Sequence, residues 1–350
     1  MAPSPRSTRS PHATSPRDAA LALARDHLVA LPTETVYGLG GLASSPTAVA
    51  DIFRAKGRPA AHPVIVHISD HEQIAYWSSA TPATALAIAE AFWPGPITVV
   101  VPKSDAVLGA VTGGQDTVAL RAPAHPIFRQ VLAELAQLGI EHPGIAAPSA
   151  NRFGRVSPTT AEHVRTELGH ILRPRDLILD GGPSAVGIES TIVLCGPETV
   201  AIARHGGINA AQIEQIVPVA SIEGPSIDSG RTPRVPGSLA SHYAPTARVH
   251  LVDLATSDEL AGVLDRVDTG PSVGVIGLLR DVEQAPTGWH RLSQSDPIWD
   301  LDGYAQQLYA ALRRADDLGL TDVVALVPPA DSVGVGPAIR DRLRRAATAT

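Results

Sequence analysis

The chain has 350 residues, 44% of them hydrophobic and 4% aromatic, with a formal charge of −7 and one cysteine, Cys195. This composition excludes a broad basic face for nucleic acid, a disulfide framework and a multi-cysteine metal site, and it fits a reducing compartment. No apolar run reaches the roughly 18 residues of a membrane span and the opening residues lack a signal-like apolar stretch, so a cytoplasmic location with no membrane contact is expected.

The length suits two ordinary domains, and a core of Ala, Val, Ile and Leu suits an α/β fold better than a sandwich or barrel. Residues 1–17, rich in Pro, Ser and Arg, read as a disordered arm. An amphipathic helix begins at Asp18 and leads into a strand at 28–31. Ser45 and Pro46 start a second helix and Gly57 stops it, which delivers Arg54, Lys56 and Arg58 to its end. A strand at 64–68, a helix at 82–92, strands at 97–101 and 117–121, a helix near 127–138 and a buried strand at 144–147 follow. Ser157 and Thr159 are alternative caps for the next helix, with Thr159 and Glu162 spaced as a capping box. Strands at 189–194 and 199–204 form a hairpin around Gly196 and Pro197.

Residues 221–246 have the Gly, Pro and Ser punctuation of a linker, which divides a domain at 18–220 from one at 247–350. Strands at 248–254, 272–279 and 322–327 alternate with helices near 257–266 and 302–317, the pattern of a small α/β module with a parallel sheet. That module has no G-x-G-x-x-G, so its fold does not by itself make it a nucleotide site.

Several segments could carry chemistry. L-P-T-E-T-V-Y-G-L at 31–39 crowds hydroxyls and a carboxylate into one turn, either for a small polar ligand or for local backbone hydrogen bonds. Arg54, Lys56, Arg58, His62 and His67 concentrate cations in an acidic chain, as a polyphosphate site requires, although Arg54 also complements the helix dipole and a lone strand histidine is commonly structural. Arg121, at the end of an apolar strand, can hold a carboxylate bidentately or serve as a sheet-edge ion pair. A-P-S-A-N at 147–151 ends another apolar strand and can cradle phosphate or merely cap a turn. G-x-x-x-x-G-K-[ST] and H-E-x-x-H are absent, and the first absence excludes a P-loop ATPase.

In order, P-T-E-T-V-Y-G-L (32–39), K-G-R-P (56–59), H-P-V-I-V-H (62–67), A-L-R-A-P (119–123), A-P-S-A-N (147–151), S-P-T (157–159), G-I-E-S-T-I-V (187–193) and P-G-x4-H-Y-A-P (236–245) resemble the threonylcarbamoyl-AMP synthase family, long form. The resemblance implies an open, twisted, mixed-sheet YrdC-like catalytic domain, a linker, and a smaller Rossmann-like C-terminal α/β domain. It implies Lys56, Arg58, Ser149 and Asn151 as the catalytic set. It assigns Thr35, His67, Arg121, Ala147 and Ser190 to L-threonine, and Arg58, His62, Thr117, Ser149, Ser157, Arg204 and Tyr243 to ATP and bicarbonate. The implied reaction joins L-threonine, bicarbonate or CO2 and ATP into threonylcarbamoyl-adenylate and releases pyrophosphate, with Mg2+ bridging phosphates and no protein metal ligands assigned. The product would pass to proteins that modify adenosine 37 of tRNA, with direct tRNA binding weak or absent.

The sequence departs from the family where His62 replaces Asn, where Phe153 stands before Gly154 in place of Ser, and where Ser238–Ser241 lack basic residues. The last departure implies that His242 and Tyr243 close over ATP. An RNA-binding translation module and a carbamoyl-AMP-forming domain are the rival readings.

Overall fold

The computed structural model describes residues 12–13, 15–220, 233–237, 243–253, 267, 272–283, 285–293, 298 and 300–348. The helix anticipated near 257–266, His242 and Ser238–Ser241 lie outside the described residues. Two domains are present, each built on its own sheet, as the element pattern and the resemblance imply.

The larger sheet has ten strands in the order β1-β8-β2-β3-β7-β4-β6-β5-β9-β10. These are β1 (His12–Ala13), β2 (Val29–Leu31), β3 (Gly38–Leu42), β4 (Ile65–His67), β5 (Ile97–Pro102), β6 (Thr117–Arg121), β7 (Ile145–Ala146), β8 (Leu177–Leu179), β9 (Thr191–Cys195) and β10 (Val200–Arg204). The sheet is mixed: β4 runs parallel to β6 and β5 to β9, whereas β7 is antiparallel to both β3 and β4. β9 and β10 form the anticipated antiparallel hairpin.

Strand alternation assigns the faces. Val66, Leu120, Val99, Val101 and Val193 point into one core, with Val49 and Ile52 of the helix Pro46–Lys56, Ile88 of Ala83–Phe92 and Val164 of Ala161–Leu168. On the other face, Leu31, Ile145 and Leu179 meet the helices Pro16–Leu23 and Pro126–Gln137, while Ile65, Ala119, Val100 and Ile192 pack against Val235 of the linker region. That second face carries the candidate site.

Some local readings change. The first helix begins at Pro16, capped by Ser15 Oγ, and His12–Ala13 pairs with β8, so order starts before residue 18. The helix expected to be capped by Ser157 or Thr159 is capped by Thr160, whose side chain accepts from the His163 amide. Thr159 instead donates its amide to His163 Nδ1. The second helix is bounded as read, with Ser45 Oγ accepting from the Ala48 amide and Gly57 in the left-handed region at φ 61°. Cys195 is half-buried at the end of β9, and burial pushes its thiol up to about 12.

The smaller sheet is wholly parallel, in the order β11-β14-β12-β13: β11 (Arg248–Asp253), β12 (Val273–Ile276), β13 (His290–Arg291) and β14 (Asp322–Val327). It packs on the helices Leu301–Asp317 and Gly336–Ala347, and the same hydrophobic cluster takes in Val36, Val156 and Ile188 of the first domain. Gly187 marks this junction: a Cβ there would lie 2.4 Å from Gln306 Cα and 2.6 Å from Ala305 O, so only glycine lets the two backbones approach this closely. The linker is correspondingly more than a tether, since Val235 and Tyr243 are buried.

Candidate active site

One cavity gathers Thr35, Arg58, His67, Arg121, Ala147, Ser149, Glu189, Ser190, Arg204 and Tyr243, with Pro236 and Gly237 from the linker region. It has two chemically distinct parts.

The first is built on the β4–β6 pair, whose parallel register sets His67 beside Arg121. Arg121 Nη1 donates to Thr35 Oγ1 at 2.8 Å and Nε to Gly95 O at 3.2 Å, while Nη2 lies 2.7 Å from Glu34 Oε1. Burial pushes the Glu34 carboxyl up, but Arg121 outweighs it and holds the group below its usual range. Thr33 completes the turn locally: its Oγ1 donates to Val36 O and accepts from the Thr35 and Val36 amides. The 31–39 segment thus makes its own turn through Thr33 and also contributes Thr33 and Thr35 to the cavity wall. His67 is buried against Phe128, ring centroids 5.2 Å apart. Burial, then Arg121, lowers its pKa to about 3, so the ring is neutral. Its Nδ1 lies 3.3 Å from Ile145 O, an obligate acceptor, which puts the proton on Nδ1 and leaves Nε2 as an acceptor.

The second part is cationic. Arg58 sits just beyond the Gly57 cap, donates from Nη2 to Pro63 O at 2.8 Å, and has a buried Nε with no hydrogen-bond partner among the described residues. Burial, then Arg204, brings its pKa down to about 10, so it stays charged near neutrality. Arg204, at the end of β10, bonds Ser190 O, Ser190 Oγ and Pro236 O. Behind these lies the 147–151 turn, whose shape is fixed from below: buried Lys56 Nζ donates to the carbonyls of Ser149 and Asn151, and Asn151 Nδ2 donates to Arg152 O and Arg155 O. Burial foremost, then Arg58, pushes Lys56 well below its ordinary pKa.

Among the described residues, Glu189 is the one carboxylate on the cavity wall. It accepts from Ser157 Oγ at 2.7 Å, from Tyr309 OH at 2.7 Å and from Arg342 Nε at 2.9 Å. Burial pushes this carboxyl up, but Arg342, Arg204 and the two hydroxyls bring it down to about 2. No group of three or more His, Cys, Asp or Glu among the described residues is placed to hold a metal.

Comparison with known proteins places this arrangement. A family model described as telomere recombination matches residues 21–206, and one described as threonylcarbamoyl-AMP synthase, C-terminal domain, matches 208–348. The threonylcarbamoyl-AMP synthase of Pyrococcus abyssi is 39% identical over 330 residues, covering 91% of this chain and 90% of its own length. That of Bacillus subtilis is 37% identical over 332 residues, covering 94% and 92%. The chain belongs to the threonylcarbamoyl-AMP synthase family. A crystal structure of P. abyssi Sua5 complexed with L-threonine superposes with a TM-score of 0.78 at 34% identity, covering 95% of this chain and 94% of that one. The family assignment and the mixed-sheet fold implied by the sequence motifs thus stand. No helix among the described residues is long and apolar enough to cross a membrane.

Within this synthase fold the residues named from sequence divide. Thr35, Arg58, His67, Arg121, Ala147, Ser149, Ser190, Arg204 and Tyr243 line the cavity. Lys56 and Asn151 do not: they are buried at the 147–151 turn and shape it. Ser157 also lies off the wall, holding Glu189. Thr117 begins β6 whereas Arg121 ends it, about 13 Å of strand apart, and Thr117 is not among the residues that line the cavity. His62 stands outside the lining with its ring edge-on to Phe153, centroids 5.3 Å apart, while Arg58 Cζ lies 5.6 Å over the same Phe153 ring. Two departures from the family pattern therefore touch each other beside Arg58. The sequence reading placed the Glu34 carboxylate in a candidate turn but missed its pairing with Arg121, and it missed Glu189, Tyr309 and Arg342. G-I-E-S-T contains Glu189 in plain view, but nothing local signals that its partners lie 120 and 153 residues away.

Proposed function

We propose that the chain makes L-threonylcarbamoyl-adenylate from L-threonine, bicarbonate or CO2, and ATP, releasing pyrophosphate. The observation that carries this reading is the division of one cavity into a carboxylate- and hydroxyl-matching part around Arg121, Thr35 and neutral His67, and a cationic part around Arg58 and Arg204. Arg121 has five N–H donors, more than Thr35, Gly95 and Glu34 take up, and so can grip the amino-acid carboxylate. His67 Nε2 offers an acceptor to the threonine hydroxyl or amine. Arg58, whose Nε has no hydrogen-bond partner among the described residues, and Arg204 match the oxygens of the triphosphate.

The ammonium loses a proton, the free amine forms an N–C bond to CO2, and loss of a second proton from nitrogen to solvent leaves a carbamate. A carbamate oxygen attacks the α-phosphorus, the bond to the bridging oxygen of the β-phosphate breaks, and pyrophosphate leaves with that electron pair. Starting from bicarbonate, water is the other product. No covalent enzyme intermediate is required. The protein positions the reactants and offsets the charge that develops on the leaving phosphates.

The donor set suits Mg2+ arriving on the triphosphate rather than held in a protein cage, because the wall carboxylate Glu189 is committed to Arg342, Tyr309 and Ser157. Bound there, Mg2+ would supply further charge neutralisation. The product is a mixed anhydride suited to transfer onto a tRNA adenosine by a downstream protein, the first step of threonylcarbamoyladenosine formation.

Pyrophosphate release measured with ATP and bicarbonate while the amino acid is varied tests the proposal. Release dependent on threonine is expected, and release indifferent to the amino acid would refute it. Salt-sensitive tRNA binding without such release would favour the RNA-binding reading.

A further inference from the structure

The C-terminal domain backs the cavity wall through two side chains that no sequence motif singles out, Tyr309 and Arg342. We propose that Tyr309 and Arg342 are positioning residues for the nucleotide part of the site, seating Tyr243 against the cavity and holding Glu189 in its wall. This rests on the reaction assigned above and adds to it a role for the second domain.

Tyr243 has φ 65°, a left-handed conformation unfavourable for a bulky side chain. Such a conformation persists where surroundings over-determine it, and here they are identifiable. The Tyr243 ring stacks on Tyr309, centroids 5.5 Å apart and planes at 29°, and Arg342 Cζ lies 5.4 Å over its face. The same Tyr309 hydroxyl and Arg342 guanidinium bond Glu189 Oε2. Glu189, Tyr309, Arg342 and Tyr243 thus form one buried group contributed by two domains and the linker region.

Charge gives the group a purpose. An unpaired carboxylate on the wall beside Arg58 and Arg204 would repel a polyphosphate and compete for its cations. Arg342, fully buried behind Glu189, offsets that charge and is itself balanced by Glu189 and Asp341. Glu189 immediately precedes Ser190, whose carbonyl and hydroxyl hold Arg204, so movement of Glu189 displaces a cavity cation. Gly187, two residues earlier, is where the helix carrying Tyr309 abuts the catalytic domain.

The test uses the full chain and measures ATP and threonine affinities separately by calorimetry, with melting curves as a control. Tyr309→Ala is expected to weaken ATP binding at least about tenfold and Tyr309→Phe, which keeps the ring, about threefold, with threonine affinity within about twofold of the parent. If the group acts through Tyr243, adding Tyr309→Ala to Tyr243→Ala costs little more, because the coupled losses do not multiply. Folded Tyr309 variants with parental ATP affinity, or losses that multiply in the double variant, would overturn the proposal. Should Tyr309→Ala not fold, Tyr309→Phe is judged by the same ATP-to-threonine ratio, and Arg342→Lys is expected to recover more ATP affinity than Arg342→Met. Turnover of the unaltered chain with threonine tests the reaction separately. A chain that turns over while its Tyr309 variants bind ATP normally retains the reaction and loses this role.

Discussion

Arg121 shows how far a residue's type and strand position can be read. An arginine ending an apolar strand could hold a substrate carboxylate or form a sheet-edge ion pair, and it does form an ion pair, with Glu34, while also lining the cavity. Arg121→Ala should therefore weaken threonine binding by at least about tenfold with a smaller effect on ATP, whereas Arg58→Ala should do the reverse, as separate titrations of the two substrates would show. Lys56 illustrates the limit. Its motif marks it as important, but only the fold reveals that its ammonium is turned beneath the site to hold two carbonyls. Lys56→Met, which leaves buried carbonyls without a donor, should lower stability by about 2–4 kcal/mol in denaturant titrations, in addition to its effect on turnover.

At the scale of elements, local patterns were legible wherever a cap or an alternation carried them. The Ser45 to Gly57 helix, β6 and the β9–β10 hairpin follow directly from such signals. β3 did not, because its sequence G-L-G-G-L has the look of a loop. It is a strand because it pairs with β2 and β7, and its glycines let neighbours close in: a Cβ at Gly40 would lie 2.9 Å from Ile145 Cγ2. The cap at Thr160 was also missed, since three hydroxyls within four residues compete and tertiary contacts decide among them. The Gly187 approach is an element-level constraint that joins the two domains. Gly187→Ala, whose new methyl would meet the backbone of the helix Leu301–Asp317, should destabilise the folded chain by about 2–4 kcal/mol and shift its melting midpoint downward in calorimetry.

Considered as a whole molecule, the two domains read from composition and punctuation are present, but their dependence on each other was not legible. Glu189 and its partners Tyr309 and Arg342 are separated by the length of a domain, and no spacing rule connects them. Burial of titratable groups also sets a whole-molecule pH response. Burial, then Arg313, lowers His163 to about 4, and His67 lies at about 3, both below the ordinary 6.5. Below pH 6.5 the unfolded chain takes up protons that these folded imidazoles refuse, so stability should fall as the pH drops from 6.5 toward 3–4. Glu189 adds to the loss from its ordinary 4.5 down to about 2, where its pairing with Arg342 ends. His163→Asn, which keeps an acceptor for the Thr159 amide, should flatten the slope of unfolding free energy between pH 6.5 and 4 by up to about 1.4 kcal/mol per pH unit in urea titrations.

The central claim is that one cavity joins three substrates, and the identity of the product tests it most directly. Incubation of the chain with ATP, L-threonine and 13C-bicarbonate, followed by rapid mass spectrometry, should yield an adenylate containing threonine and one 13C atom together with an equal amount of pyrophosphate. An adenylate without the label, or pyrophosphate released without any threonine-containing adenylate, would contradict it.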